Sequence, residues 1–424
     1  MSAQTKRAKL PPLDLSKWRN VPIFLIVIGF ALALIGFFIN RQQFVHSWLL
    51  AFMFCLSICL GSLFLVLAHH LFDAGWSVPI RRFCEHIASL LCPTMLFLSL
   101  PIAVFPKLAY SWMLEKPPFD KALQTKQPLF TMAGFYIASA CIFIVWRILT
   151  NGLRKWSIRQ DTMGGSLPTY RMRSYAYWGI FAFAATTTGA AILWMKAMQY
   201  HWFSTMYGVY YFAGSVWTAL SIAYVITMVL DRQRVLTDVL HEHQYYFIGS
   251  LLFAFTVFYA YVHFAQYFII WNGNIPEETF WYIIREQGSW FAIGMIIIFG
   301  HFLVPFLGLL RIDVKSVFPY MTALAIWVWL MQYFDVAFNV HPVLHPKGFP
   351  WQWMWLDFGC IAFMVGVLSM VFLKKYASAA PYPIKDPRLV EAMGHYHPVP
   401  TQISGGELDQ TDDLPDAPEH GKSH

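Results

Sequence analysis

Ten apolar runs, each close to the ~20 residues that a helix needs to cross a bilayer, set what this chain can become. They cover residues 21–39, 48–68, 84–105, 129–145, 175–195, 208–230, 245–270, 290–310, 317–338 and 353–373. Backbone groups in hydrocarbon must be paired within the segment, so runs of this length read as helices. Only 12% of the residues are charged, against ~25% in soluble domains. The expected fold is therefore an all-α polytopic membrane protein of ten transmembrane helices. The first run ends at Ile39-Asn40-Arg41, without a small-residue cleavage site, so it is expected to stay as a span. The six cysteines fall in apolar segments and form no C-x-x-C or C-x-x-C-H, which leaves disulfide, zinc and covalent-heme readings without support. The net charge of +7 sits in loops beside the spans and is not a nucleic-acid footprint.

An even number of spans puts both termini on one side. With that side inside, inner segments hold 22 of the 30 basic residues. Without the two tails the split is still 12 against 8, and only Arg41 and Arg285 among the arginines fall outside. The positive-inside rule then predicts cytoplasmic termini. Three regions follow: an N-terminal cytoplasmic segment 1–20, a membrane domain 21–373 and a cytoplasmic tail 374–424. The tail is rich in Pro, Asp, Glu and His and turns acidic over 407–419. It cannot bury a core alone, so disorder or docking on a partner is expected.

A weak internal repeat is visible. Gly61-Ser62-x4-Leu67 in span 2 echoes Gly214-Ser215-x4-Leu220 in span 6, and Ala88-Ser89-Leu90-Leu91 in span 3 echoes Gly249-Ser250-Leu251-Leu252 in span 7. Small residues also mark close helix contacts, so packing alone would account for the echo. A duplication would imply two four-helix bundles, spans 2–5 and 6–9, flanked by spans 1 and 10.

Ionisable groups inside a membrane cost at least ~2.5–3.5 kcal/mol each and call for a partner, water or a function. His263 and Asp335 both lie about 27 Å above the inner ends of their spans, and Asp357 about 6 Å below the outer start of its own. Gln266 follows His263 at i+3, and Gln332 precedes Asp335 at i−3. Together they predict a hydrated outer half-channel, with a satisfied hydrogen-bond cluster or simple interfacial exposure the plainer reading of all three and the preferred one for Asp357. On the inner side, His69, His70 and Asp73 close span 2, and Glu85 and His86 open span 3. Thr186, Thr187 and Thr188 in span 5 and His301 in span 8 lie between the levels and could form a proton wire. Threonine-to-backbone bonding is the duller alternative. His263 and His301 differ by about 13 Å in predicted height, which argues against a shared heme iron. The abundant aromatics, Trp327, Trp329 and Tyr333 among them, read mainly as packing.

The segment Tyr261-Val262-His263-Phe264-Ala265-Gln266-Tyr267-Phe268-Ile269-Ile270-Trp271-Asn272-Gly273-Asn274-Ile275-Pro276-Glu277-Glu278-Thr279-Phe280-Trp281-Tyr282 resembles the second NrfD-like membrane subunit of bacterial alternative complex III. The wider family is the polysulfide-reductase NrfD-like membrane subunits. Span count, the place of Asp335 and the Pro-rich tail extend the resemblance over most of the chain. It implies a place in a quinol-oxidising complex of the bacterial inner membrane. Expected partners are a paralogous NrfD-like subunit, subunits bearing heme c and iron–sulfur clusters, lipids and a terminal oxidase, with no cofactor in this chain. It further implies that quinol is oxidised in the paralogue and that this chain helps to conduct protons.

The outer halves of spans 2–5 hold no Asp, Glu or His, the nearest being His46, so a quinol pocket in the first bundle lacks its acid–base group. The rival readings are a quinol site at His263 and Asp335, and a secondary transporter with helices broken at Pro93 or Pro305. Topology is directly testable. A reporter fused after Lys374 should behave as cytoplasmic and one in the 271–289 loop as periplasmic; the opposite pair of results would invert the inner and outer assignments.

Overall fold

The computed structural model describes residues 18–393, which form ten helices long and apolar enough to cross a membrane. These are α1 (Asn20–Ile39), α2 (Arg41–Leu71), α3 (Gly75–Val104), α4 (Met132–Met163), α5 (Leu167–Gln199), α6 (Tyr207–Arg232), α7 (Glu242–Gly273), α8 (Ser289–Leu309), α9 (Phe318–Val343) and α10 (Trp351–Ala377). No strand occurs among the described residues. The end where α1 begins and α10 finishes is called basal here, and the opposite end distal. The N-terminal segment before residue 18 and the acidic stretch 407–419 lie outside the described residues.

Helices α2–α5 form one bundle and α6–α9 a second, and α1 packs along α10 at the flank. The seam between bundles is the contact of α2 with α6. A Cβ on Gly61 would stand 2.1 Å from the Ser215 carbonyl oxygen and 2.6 Å from Ala219 Cβ, so only glycine permits this approach. Gly214 is a second such gap, filled by Gln332 of α9. The small residues of the echoed motifs thus serve packing, at equivalent helices of the two bundles. The other echo also has a shared use: Ser89 accepts from Lys375 Nζ (2.9 Å) and Ser250 from Lys315 Nζ (3.2 Å). Along α1 and α10, Gly29 and Gly36 face Phe363 and Leu356, and Gly359 and Gly366 face Leu32 and Ile26.

Several elements differ from their expected extent. Helix α4 runs 18 residues past the apolar run, carrying Arg154 and Arg159, because a helix of charged residues is stable once it has left hydrocarbon. Helix α3 is broken at Ser89–Pro93, and α8 widens into π-helical turns over Ile297–Leu303. The expected loop 271–289 contains a helix, Pro276–Arg285, started by proline at its first position. The tail does not leave the molecule at 374. Residues 382–393 form a strap over the basal end, touching α4 through Lys385 and Thr162, α3 through Asp386 and Arg81, and α7 through Ala392 and Gln244.

Gly61→Val should destabilise the chain by about 1–3 kcal/mol through overpacking. Thermal unfolding in detergent, with Gly273→Ala as control, checks this, since a Cβ on Gly273 meets nothing within 4 Å. Equal stability of the two variants would mean that the seam yields.

Candidate functional site

Three helices of the second bundle carry polar and aromatic residues at the 3–4–3 spacing of one helix face. On α6 these are Tyr207, Tyr210, Gly214 and Trp217; on α7, Thr256, Tyr259, His263 and Gln266; on α9, Gln332, Asp335 and Asn339. The faces converge on Asp335, which is 4% exposed. Its Oδ1 accepts hydrogen bonds from the hydroxyls of Tyr210 and Tyr259, the latter at 2.5 Å. Asn339 Nδ2 donates to the Tyr210 hydroxyl oxygen (2.9 Å) and to the Asp335 carbonyl (2.8 Å), and the Tyr207 hydroxyl donates to Asn339 Oδ1 (2.9 Å).

The chain continues inward by stacking. The His301 ring lies between Trp217 (3.8 Å between centroids) and Tyr259 (3.6 Å), each inclined by 17°. Trp217 Nε1 donates to Thr256 Oγ1 at 2.8 Å. Both His301 ring nitrogens are buried without a hydrogen-bond partner among the described residues, as is Gln332 Oε1. Unpaired polar atoms of this kind are places for water. The π-helical turns of α8 bring His301 to Tyr259. His263 packs on the same Tyr259 ring at 5.8 Å, so the two histidines, expected about 13 Å apart in height, both contact one phenol ring. His263 is half-buried at the outer surface of α7 and also packs on Tyr210 at 5.6 Å.

A cap closes the distal end of this network. Gln266 accepts from Ser204 (2.8 Å) and donates to the Tyr282 hydroxyl (3.0 Å), which ties it to the cap and not to His263. Trp202 stacks on Trp281 at 4.6 Å and 15°. Arg285, 2% exposed, donates to the carbonyls of Phe338 (2.8 Å) and Trp281 (2.8 Å) and sits 3.4 Å from the Trp281 ring centroid. Burial pushes its guanidinium down to about 9, so it stays charged at neutral pH.

The other predicted residues do not join this network. Asp357 is fully buried, not interfacial: its Oδ2 accepts from the Tyr333 hydroxyl (3.0 Å) and pairs with His341 Nε2 (2.9 Å). Tyr333 and Asp335 are two residues apart and so on opposite faces of α9, which removes Asp357 from the half-channel. Thr186 accepts from Trp146 Nε1 (3.0 Å) and donates to the Ala182 carbonyl (2.7 Å), Thr187 is buried without a partner, and Thr188 packs on Gly208. These threonines belong to the first bundle and share no hydrogen bond with His301, so the expected wire is not formed by direct contact.

The basal residues gather in the first bundle. His69 shares a hydrogen bond with Ser77 (2.5 Å) and receives one from Arg81 (3.1 Å), while the buried His70 has no hydrogen-bond partner among the described residues. Arg81 pairs with Glu85 (3.0 Å) and with Asp386 of the strap (2.5 Å). His86 accepts from Arg154 (3.3 Å), and Asp73 pairs with Arg173 (2.7 Å) and Arg388 (2.8 Å). Burial alone would raise the Asp386 carboxyl, but Arg81 and Arg388 outweigh it and hold it well below the usual carboxylate range.

Sequence reasoning missed Tyr207, Tyr210, Tyr259, Asn339 and His341. The first four share helix faces with residues already singled out, Tyr259 at i−4 from His263 and Asn339 at i+4 from Asp335. His341 carried no such signal, since its partner lies on another helix. Compared with models of known families and with curated proteins, the chain finds no match.

Asp386→Asn should leave Arg81 and Arg388 undercompensated and cost about 3 kcal/mol at neutral pH. A depressed carboxyl stabilises the fold above its unfolded pKa and loses that contribution as pH falls through the folded value. In the unaltered chain, proteolysis after Ala377 should therefore stay slow through mild acid and rise only in strong acid. The variant should be cut readily throughout; equal protection in both would show that Asp386 does not anchor the strap.

Proposed function

We propose that this chain is a scaffold and proton-conducting membrane subunit of a quinol-oxidising respiratory complex of the alternative complex III type. In this reading it sits in a bacterial inner membrane with both termini cytoplasmic and holds no redox cofactor. Heme c and iron–sulfur clusters belong to partner subunits, and a paralogous NrfD-like subunit carries out quinol oxidation. The observation that carries the reading is the hydrogen-bonded set Tyr207–Asn339–Tyr210–Asp335–Tyr259, buried beside the unpaired nitrogens of His301. The segment with the family resemblance supports it, since that segment supplies Tyr282 and Trp281 of the cap over these residues.

The chemistry follows from the groups. Hydroxyls both donate and accept, so a proton can pass between the phenols of Tyr210 or Tyr259 and Asp335 by exchange of their hydrogen bonds, while the Asn339 amide that links Tyr207 to Tyr210 holds the two phenols in place. Asp335 is the carboxylate of this set, and so the group that can take up a proton and give it up again. Water at His301 and Gln332 would carry it further inward. The fixed charge of Arg285 keeps free cations from the distal mouth while it leaves proton exchange open.

Asp335→Asn should preserve assembly and lower proton movement coupled to quinol oxidation by roughly a hundredfold, the lower end of what a positioned acid–base group contributes. Tyr259→Phe, which keeps the ring against His301, should give a smaller loss. Proton uptake and release in proteoliposomes, measured beside turnover, decide; unchanged stoichiometry and turnover in Asp335→Asn would remove this residue from the path. One observation favours a second reading, a quinol site. The half-buried His263 packs on both tyrosines that bind Asp335, so a head group arriving from lipid could reach them. Azido-quinone labelling of α7 or α9, competed away by quinol, would select it.

A further inference from the structure

Three cations gather where α3 breaks. Lys375, near the basal end of α10, donates through Nζ to the Ser89 carbonyl (3.0 Å) and hydroxyl (2.9 Å). Arg147 of α4 donates to the Cys92 carbonyl at 3.3 Å. Arg154, two turns further along α4, donates to His86 Nδ1 at 3.3 Å. Lys375 lies within Coulombic reach of both arginines. Among the described residues none of the three has a carboxylate at ion-pair distance, and Glu85, the acid nearest to Arg154, is paired with Arg81. By contrast, Arg81, Arg82, Arg173 and Arg388 at the same end all have ion-pair partners.

The surroundings are those of an interface. Arg147 is exposed, and Arg154 and Lys375 are half-buried. Immediately distal, Leu96, Phe97 and Leu100 of α3 and Ile144 and Ile148 of α4 are exposed. The protein thus presents fixed positive charge at the foot of an apolar strip. Like charges beside hydrocarbon repel, so an anion among them would stabilise the arrangement. We propose that this site binds the phosphate of an anionic phospholipid, with its acyl chains along Leu96, Phe97, Leu100, Ile144 and Ile148. Basic pockets between transmembrane helices recognise such head groups in this way. The ligand seals the break in α3, where backbone carbonyls that a continuous helix would pair internally are turned to Lys375 and Arg147. The site shares no residue with the Asp335 network and stands whether or not that network conducts protons.

The test uses the full-length protein in detergent after delipidation, with native mass spectrometry and thermal unfolding as readouts. Phosphatidylglycerol, phosphatidylcholine with the same acyl chains, and inorganic phosphate are added separately. Phosphatidylglycerol alone should be retained and should raise the unfolding temperature. Lys375→Gln and Arg147→Gln should each weaken its binding about fivefold, and the triple variant with Arg154→Gln about a hundredfold. Arg147→Lys, which keeps the charge, and Arg311→Gln, an exposed basal residue of the second bundle, should leave it unchanged. Equal retention of phosphatidylcholine, or full binding by the single glutamine variants, would overturn the proposal. A complete shift produced by inorganic phosphate would reduce the site to one for a small anion and overturn the lipid assignment. Should the triple variant not fold, the single variants decide.

Discussion

Everything in this molecule hangs on the close crossing of α2 and α6. Hydrocarbon gives helices no hydrophobic reason to associate, so contact must come from packing. Gly61 lets the two backbones approach, and each helix then serves as the inner wall of its own bundle. Because α2 is surrounded, almost every side chain along it is buried. Helices α4 and α7, at the periphery, bury one stripe and turn the rest to lipid.

That division explains where the polar groups lie. A residue on a surrounded helix can reach three neighbours, so a buried carboxylate such as Asp335 finds two phenols and an amide within one turn. The two bundles use the freedom differently. The second concentrates neutral donors and acceptors toward its distal end. The first concentrates ion pairs at its basal end, where Arg81, Arg82, Glu85, Asp161 and Asp386 neutralise one another. Neutral donors and acceptors can pass a proton along, whereas a set of close ion pairs mainly fixes shape.

The spans were legible because length and hydropathy decide them, while the two bundles were expected from the weak repeat and the resemblance. The Gly-Ser echo marked the bundle seam, and the i+3 and i+4 rules gathered His263, Gln332 and Asp335 on the right faces. What stayed hidden depended on winding and on contacts distant in sequence. His301 reaches Tyr259 because α8 widens locally, and uniform rise along a helix cannot foresee it. Asp357 was open to two plain readings, a hydrogen-bond cluster or interfacial exposure, and it forms the cluster with a partner, His341, that approaches from the end of another helix. The strap looked solvated because its composition is polar, yet its charges are complementary to those of Arg81 and Asp73.

The strap also sets an order of events. Arg81 and Asp386 are separated by 305 residues, so the strap leaves the ribosome only after all ten spans. Until then Arg81 has only Glu85 as an ion-pair partner. The first bundle is therefore completed only after the second has been made. A chain cut short after its tenth span would insert all its helices and still lack Asp386 and Arg388, which tie Arg81 and Asp73 of the first bundle to the strap.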